Sequence, residues 1–163
     1  MLNILKSNKI IYIPEGEKFT TVSPFLLCFG TLRKTDRENS NYAKFLKDKA
    51  SYLGTYRLPG FKIESIICNY TGNKNHKIVC DLFEFPSITI KNLILMHENN
   101  CLIDQLEQGY AKAILPIVNP ITNTDIIASL YFRTSYSVKN PIKTGDYLSQ
   151  KTIIPYPLIK TRY

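Results

Sequence analysis

An apolar run of strand type, FLLCF at residues 25–29, is followed at once by Gly30, Thr31, Leu32 and Arg33. A tight turn at a glycine exposes backbone N–H groups, and such groups can hold a carboxylate. The same pattern is also typical of a strand that simply ends at a flexible residue. The sequence therefore leaves two interpretations of this turn open, a binding loop for an anionic group and a plain folding feature.

The segments around this turn are mostly of strand type. Alternating or β-branched apolar residues predict strands at residues 9–13, 18–22, 25–29, 51–57, 61–69, 77–85, 113–118 and 126–132. Helical spacing is found at residues 41–49 and 89–108, and Gly109 suits the end of the second helix. Strands with two flanking helices predict an α+β fold, a small mixed β-barrel. We expect residues 1–24 to form a strand-turn-strand arm, and residues 25–163 the barrel domain with an extended C-terminal tail.

Size and composition narrow the function classes. The chain has 163 residues, 44% of them hydrophobic, which favours one globular domain. No apolar run approaches the roughly 20 residues of a membrane span, and no secretory signal is evident, so we expect a cytoplasmic protein. The net charge of +8 could attract nucleic acid. Acids are interleaved with the cations and no nucleic-acid motif is present, so a solvated surface is the preferred interpretation.

The cysteines and histidines do not predict a metal site. The four cysteines are widely spaced, and each lies in an apolar segment, which is typical of buried, reduced thiols. His76 and Cys80 could both be ligands, but His97 is the one remaining imidazole and its surroundings do not form a zinc motif. We expect neither a metal nor a cofactor.

Seven motifs follow one another between residues 26 and 148: FGTLRK, RENSNYAKFL, YLGTYRLPGFKI, VCDLFEF, IDQLEQGYAKAILPIV, ASLYF and KTGDYL. Their order resembles the gamma-glutamylcyclotransferase-like family, which includes the gamma-glutamylamine cyclotransferases. The chain departs from the family pattern at three positions: Phe29 stands for the usual Tyr, Asp81 for a common Gly, and Lys112 for the usual Arg. The segment between the Phe85 strand and Ile103 is also longer than in the family.

The resemblance implies an enzyme of the acyltransferase or lyase kind. The α-amino group of a γ-glutamyl unit attacks its own side-chain amide, which yields 5-oxoproline and a free amine. The resemblance makes Glu107 the general acid and base, a role for which a partly buried carboxylate is suited. It also implies that the backbone of Gly30, Thr31 and Leu32, with Arg33 beside it, binds the glutamyl end of the substrate. Phe29, Tyr110 and Tyr131 would complete the substrate site.

Several alternatives remain open at this point. Glu98, in ILMHEN, competes with Glu107 for the acidic role, although Asp104, Gly109 and Tyr110 fit the family pattern around Glu107. The chain could instead be a non-catalytic module that binds a small ligand or a protein on the same barrel. The third hypothesis is a protein that binds nucleic acid through electrostatic attraction. The sequence identifies neither the leaving amine nor the oligomeric state.

Overall fold

The computed structural model describes residues 3–4, 11–13, 23–30, 48–65, 67–87, 90, 110–133, 138–147 and 156–161. Within these ranges most of the backbone is in strands, and helical backbone is confined to residues 48, 49 and 90. A small β-rich fold is therefore confirmed. The two predicted helices, at residues 41–49 and 89–108, fall almost wholly outside the described residues and stay predictions.

Nine strands are described. They are β1 (Asn3–Ile4), β2 (Ile11–Ile13), β3 (Phe25–Cys28), β4 (Ser51–Pro59), β5 (Phe61–Glu64), β6 (Ile67–Tyr70), β7 (Lys77–Glu84), β8 (Tyr110–Val118) and β9 (Asp125–Arg133). Seven of them form one sheet in the order β1-β2-β8-β9-β3-β7-β4, and β5 pairs with β6 in a second sheet. β3 and β9 run parallel and the other paired strands run antiparallel, so the large sheet is mixed as predicted.

The C-terminal tail joins the two sides of the large sheet. The Arg57 amide of β4 donates to the Pro157 carbonyl at 2.9 Å, and the Ile159 amide donates back to the Arg57 carbonyl at 3.0 Å. Further along, the Val118 amide of β8 donates to the Lys160 carbonyl at 2.8 Å. Through these bonds the tail links β4 to β8, which gives the strands a barrel-like, curved arrangement. Ile159 is 1% exposed and belongs to the core.

The two faces of the sheet bury different sets of side chains. The main core lies on the inner face and contains Leu27, Leu58, Phe61, Ile78, Leu115 and Phe132, among others. A second cluster is formed by Leu26, Cys28, Phe83, Phe85 and Tyr131, with Tyr52 at its edge. Neighbouring residues of β3 alternate between the two sets, as successive side chains of a strand must. β3 is consequently buried on both faces, which explains its unbroken apolar sequence.

Some predicted elements differ from the observed ones. The single strand predicted at residues 61–69 is a hairpin of β5 and β6, because the chain reverses at Ser65, which has a φ of 52°. β8 begins at Tyr110, three residues before the predicted start at residue 113. Of the N-terminal arm, the predicted strand at residues 9–13 corresponds to β2, which pairs with β8, and β1 was not predicted. The predicted strand at residues 18–22 lies outside the described residues. The described part of the chain holds no helix with the length and apolar character that crossing a membrane requires.

Candidate functional site

The turn at Gly30 follows a strand that is held on both sides. β3 pairs with β7 through four register pairs and with β9 through three. Leu26 and Leu27 are each 2% exposed, whereas Phe29 and Gly30 are half-buried. A Cβ atom placed on Gly30 would meet no atom of the described residues within 4 Å. A strand held on both sides thus ends at a half-buried glycine that the described part of the chain does not crowd.

Strand register brings the start of β8 to the same end of the sheet. Leu27 of β3 pairs with Leu130 of β9, and Leu130 pairs with Ala113 of β8. From this row, β3 runs on to Gly30, while β8 runs back to its first residue, Tyr110. The Gly30 turn and the entry of the chain into β8 therefore lie at one end of the sheet. Glu107 precedes that entry by three residues in the sequence.

Several predicted site residues fall outside the described residues. These are Glu107 and its competitor Glu98, together with Thr31, Leu32 and Arg33. Tyr110 is described only in its backbone, as the first residue of β8. The structure accordingly leaves the catalytic assignment, and the choice between Glu107 and Glu98, as predictions.

Phe29 and Tyr131, which the resemblance made substrate-binding residues, are placed on opposite faces of the sheet. The ring of Phe29 packs against the main core. Tyr131 is 8% exposed and packs in the second cluster with Cys28 and Phe83. Packing therefore accounts for most of the surface of Tyr131. Among the residues of its cluster, Cys28 is the one nearest to Gly30 in the sequence.

A buried carboxylate is the feature that the sequence reasoning did not identify as functional. Asp81 of β7 is 1% exposed and pairs in register with Cys28 on one side and with Thr55 on the other. The Thr55 hydroxyl donates a hydrogen bond of 2.6 Å to Asp81 Oδ1. The signal was present in the sequence: KIVCDLFEF is apolar at nearly every position that the strand buries, and one acid interrupts it. An acid at such a position needs hydrogen-bond partners, since burying an isolated charge costs several kcal/mol, on the order of 5.

The hydrogen bonds continue from Thr55 to the edge of the sheet. The Tyr52 hydroxyl is hydrogen-bonded to Thr55 Oγ1, and the Tyr52 ring contacts Phe83 with 5.8 Å between ring centroids. Nearby, burial raises the pKa of the Tyr56 phenol, and the neighbouring Tyr52 phenol adds to this increase. Tyr52, Thr55 and Asp81 thus form one connected chain of polar groups, which we call the Asp81 relay.

No grouping of three or more His, Cys, Asp or Glu side chains suited to a metal ion occurs among the described residues. Cys28, Cys68 and Cys80 are buried thiols, as the apolar segments around them predict.

Comparisons with known proteins give little further information. No protein-family model matches the chain, and no curated protein matches it. One solved structure, of the uncharacterized protein PH0828 from Pyrococcus horikoshii, is similar over 77% of this chain and 90% of its own, with 21% identity and a TM-score of 0.49. That protein is itself uncharacterized, so the similarity assigns no activity.

Proposed function

We propose that this protein is a gamma-glutamylcyclotransferase-type enzyme, which converts a γ-glutamyl amine or peptide into 5-oxoproline and a free amine. The proposal rests on the ordered motifs between residues 26 and 148. The structural observation that supports it best is the shared end of the sheet. There Gly30 and the start of β8, three residues after Glu107 in the sequence, lie at the same end of neighbouring strands joined through β9.

The proposed reaction needs one acid–base group and one set of donors. The substrate's α-ammonium first loses a proton to the Glu107 carboxylate. The free amine then attacks the γ-carbonyl carbon, so that a C–N bond forms within the substrate and the carbonyl oxygen becomes an oxyanion. Backbone N–H groups of the Gly30–Leu32 turn would stabilise this oxyanion or hold the α-carboxylate. The proton on Glu107 passes to the leaving nitrogen as the oxyanion re-forms the carbonyl and the original amide C–N bond breaks, and the regenerated carboxylate takes the second proton from the ring nitrogen.

The protein's remaining contribution is positional. A substrate folded back on itself undergoes ring closure with little further loss of entropy. β3 would hold the turn still, because it is hydrogen-bonded to a strand on each side. Arg33 would add a positive charge for the α-carboxylate, and Tyr110 and Tyr131 would line the site.

The test is 5-oxoproline release, measured by mass spectrometry with γ-glutamyl amino acids, γ-glutamyl-ε-lysine and glutathione as substrates. The wild type would be compared with Glu107→Gln and with the matched control Glu98→Gln. Loss of a general acid–base group lowers turnover by about 100-fold to 10,000-fold. We expect this loss in Glu107→Gln alone, with unchanged thermal unfolding of both variants. Loss in Glu98→Gln alone would overturn the assignment of Glu107.

A second candidate function is favoured by Asp81. A carboxylate where the family commonly has Gly changes the shape and charge of the face on which Cys28 lies. A non-catalytic module on the same barrel would bind a γ-glutamyl compound without converting it. Calorimetric binding with no 5-oxoproline release from any substrate would support this candidate and exclude the enzyme.

A further inference from the structure

Arg57 of β4 connects three parts of the fold. Its backbone amide and carbonyl hold the C-terminal tail through two hydrogen bonds. Its guanidinium donates from Nη1 to the Thr144 carbonyl at 3.0 Å. Val79 of β7 pairs in register with Arg57, and on its other side the Val79 amide donates to the Gly145 carbonyl at 2.8 Å. The Arg57 side chain therefore crosses β7 to reach the segment that contains Thr144, and its guanidinium is fixed there.

The Arg57 guanidinium has more donors than its neighbours use. It carries five N–H groups, and among the described residues only the Thr144 carbonyl accepts a hydrogen bond from it. A carbonyl is neutral, and no carboxylate in the described part of the chain forms an ion pair with Arg57. Arg57 is half-buried, so the group is held against the protein while part of it still meets solvent. A fixed positive charge with unused donors is suited to binding an anion.

Two exposed lysines lie beside this guanidinium. Lys77, the first residue of β7, precedes Val79 by two residues and shares its face of the strand. Lys143 directly precedes Thr144. Gly145 lies so close to Lys77 that a Cβ atom placed on it would be 2.0 Å from the Lys77 carbonyl oxygen. The cations therefore surround one short segment, and we call them the Arg57 cluster: Arg57, Lys77 and Lys143.

The acids nearest to the cluster in the described chain are buried. Asp81, of the Asp81 relay, follows Val79 by two residues on the same face and is 1% exposed. Asp146 follows Gly145 and is 3% exposed. Even with both carboxylates ionised, the three cations outnumber them. A ligand that approaches from solvent meets the exposed lysines first, so an anion is favoured over a cation at this surface.

The placement of the cations favours a compact anion. Arg57 lies across the sheet from Val79 and Lys77 lies along the strand, at backbone separations of about 5 Å and about 7 Å. A nucleic acid needs cations spaced along a track of phosphates, whereas these cations converge on one point. The oxygens of a single phosphate group can accept from a guanidinium fork and from ammonium groups together.

We propose that the Arg57 cluster binds the phosphate group of a small ligand. The inference does not depend on the proposed cyclotransferase reaction. Because Arg57 also holds the tail, the bound phosphate would stabilise the closure of the sheet between β4 and β8.

The test measures binding of inorganic phosphate and pyrophosphate to the full-length protein by calorimetry, with chloride keeping the ionic strength constant. We expect a Kd of about 1 mM for phosphate and a value about tenfold lower for pyrophosphate, which brings more charge. About 50 mM phosphate should then raise Tm by about 5–9 °C. Phosphate also stabilises proteins by exclusion from their surface, so only the saturable rise that the variants lose counts as binding.

Charge-matched variants separate the cluster from the general basicity of the chain. Lys77→Gln and Lys143→Gln should each weaken phosphate binding about threefold to tenfold. Arg57→Lys, which keeps the charge and loses the fork, should weaken it as well. Lys49→Gln is the control, since Lys49 is exposed and lies near the start of β4, at the opposite end of that strand. If Arg57→Lys does not fold, the three lysine variants decide the question.

The outcomes are distinct. No saturable binding of either anion, or equal affinities of Lys77→Gln, Lys143→Gln and Lys49→Gln, would overturn the proposal. Tighter binding of a single-stranded oligonucleotide than of pyrophosphate would overturn the assignment to a small ligand. Vesicles that contain phosphatidic acid distinguish the sources of the phosphate: binding lost in Lys77→Gln would place it on a lipid headgroup, and no vesicle binding would place it on a soluble compound.

Discussion

The tail offers the sharpest stability prediction, because two adjacent residues in it have opposite environments. Ile159 is 1% exposed within the main core, whereas Leu158 is 52% exposed. Truncating a buried Ile to Ala removes apolar contacts and leaves a cavity, which costs about 2–5 kcal/mol. We therefore expect Ile159→Ala to lower the free energy of unfolding by about 3 kcal/mol. Leu158→Ala should change it by no more than about 0.5 kcal/mol.

Thermal and urea unfolding followed by circular dichroism would measure both variants. For a chain of this size, 1 kcal/mol corresponds to roughly 2–4 °C in Tm, so Ile159→Ala should melt about 6–12 °C below the wild type. The two substitutions lie in the same extended segment, between the bonds to Arg57 and to Val118, so backbone effects are matched. Equal Tm values for the two variants would refute the conclusion that the tail is anchored in the core.

Three further predictions concern the rest of the fold. Gly145→Ala should strongly lower the free energy of unfolding, because Gly145 has a φ of +68° and the new Cβ would lie 2.0 Å from the Lys77 carbonyl oxygen. Gly72 has a similar φ of +69°, but the atom nearest to its new Cβ would be 3.4 Å away. Gly72→Ala should therefore cost only about 1 kcal/mol in urea unfolding. Burial, and secondarily the nearby Cys80 thiol, raise the pKa of Cys68 well above its usual value. The Cys68 thiol should therefore resist alkylation at pH 8 in the native protein and react in urea. Rapid labelling of Cys68 in the native protein, located by peptide mass spectrometry, would contradict this prediction. Burial, and secondarily the Tyr52 phenol, raise the pKa of Tyr56 above 10.0. The stability that the neutral Tyr56 phenol contributes should therefore be fully present below pH 10 and be lost as the pH rises through the folded-state pKa. Tyr56→Phe should remove this part of the alkaline loss of stability in urea unfolding, and an unchanged pH profile of the variant would refute the prediction.

Local sequence patterns predicted much of the sheet, because alternation and β-branched residues reflect burial directly. β3, β7 and β9 were predicted to within one or two residues, since each combines apolar side chains with a clear turn on at least one side. The reversal at Ser65 was missed, because nothing in that residue type requires a positive φ. The position of the tail between β4 and β8 was also unpredictable, since its partners lie about 40 and 100 residues away in the chain.

The candidate site was predictable only in part, for a related reason. The strand before Gly30 could be predicted from its composition, and no atom of the described residues would lie within 4 Å of a Cβ placed on Gly30. Asp81 departs from the family pattern in the sequence, but its hydrogen bond to Thr55, and that of Thr55 to Tyr52, come from residues of a different strand. Contacts across strands depend on register, and the residues of one strand do not specify the register of its neighbours.

The central claim is that the Gly30 end of β3 binds the glutamyl end of a ligand. The most direct test is a titration of the 15N-labelled protein with 5-oxoproline and with a γ-glutamyl amine, followed through its backbone amide signals. We predict that the Gly30 amide shifts in a saturable manner, while those of Ile121 and Thr122, in the turn between β8 and β9 at the opposite end of the sheet, do not. A Gly30 signal that stays unchanged at saturating ligand, or larger shifts at Ile121 or Thr122, would contradict binding at the Gly30 end of β3.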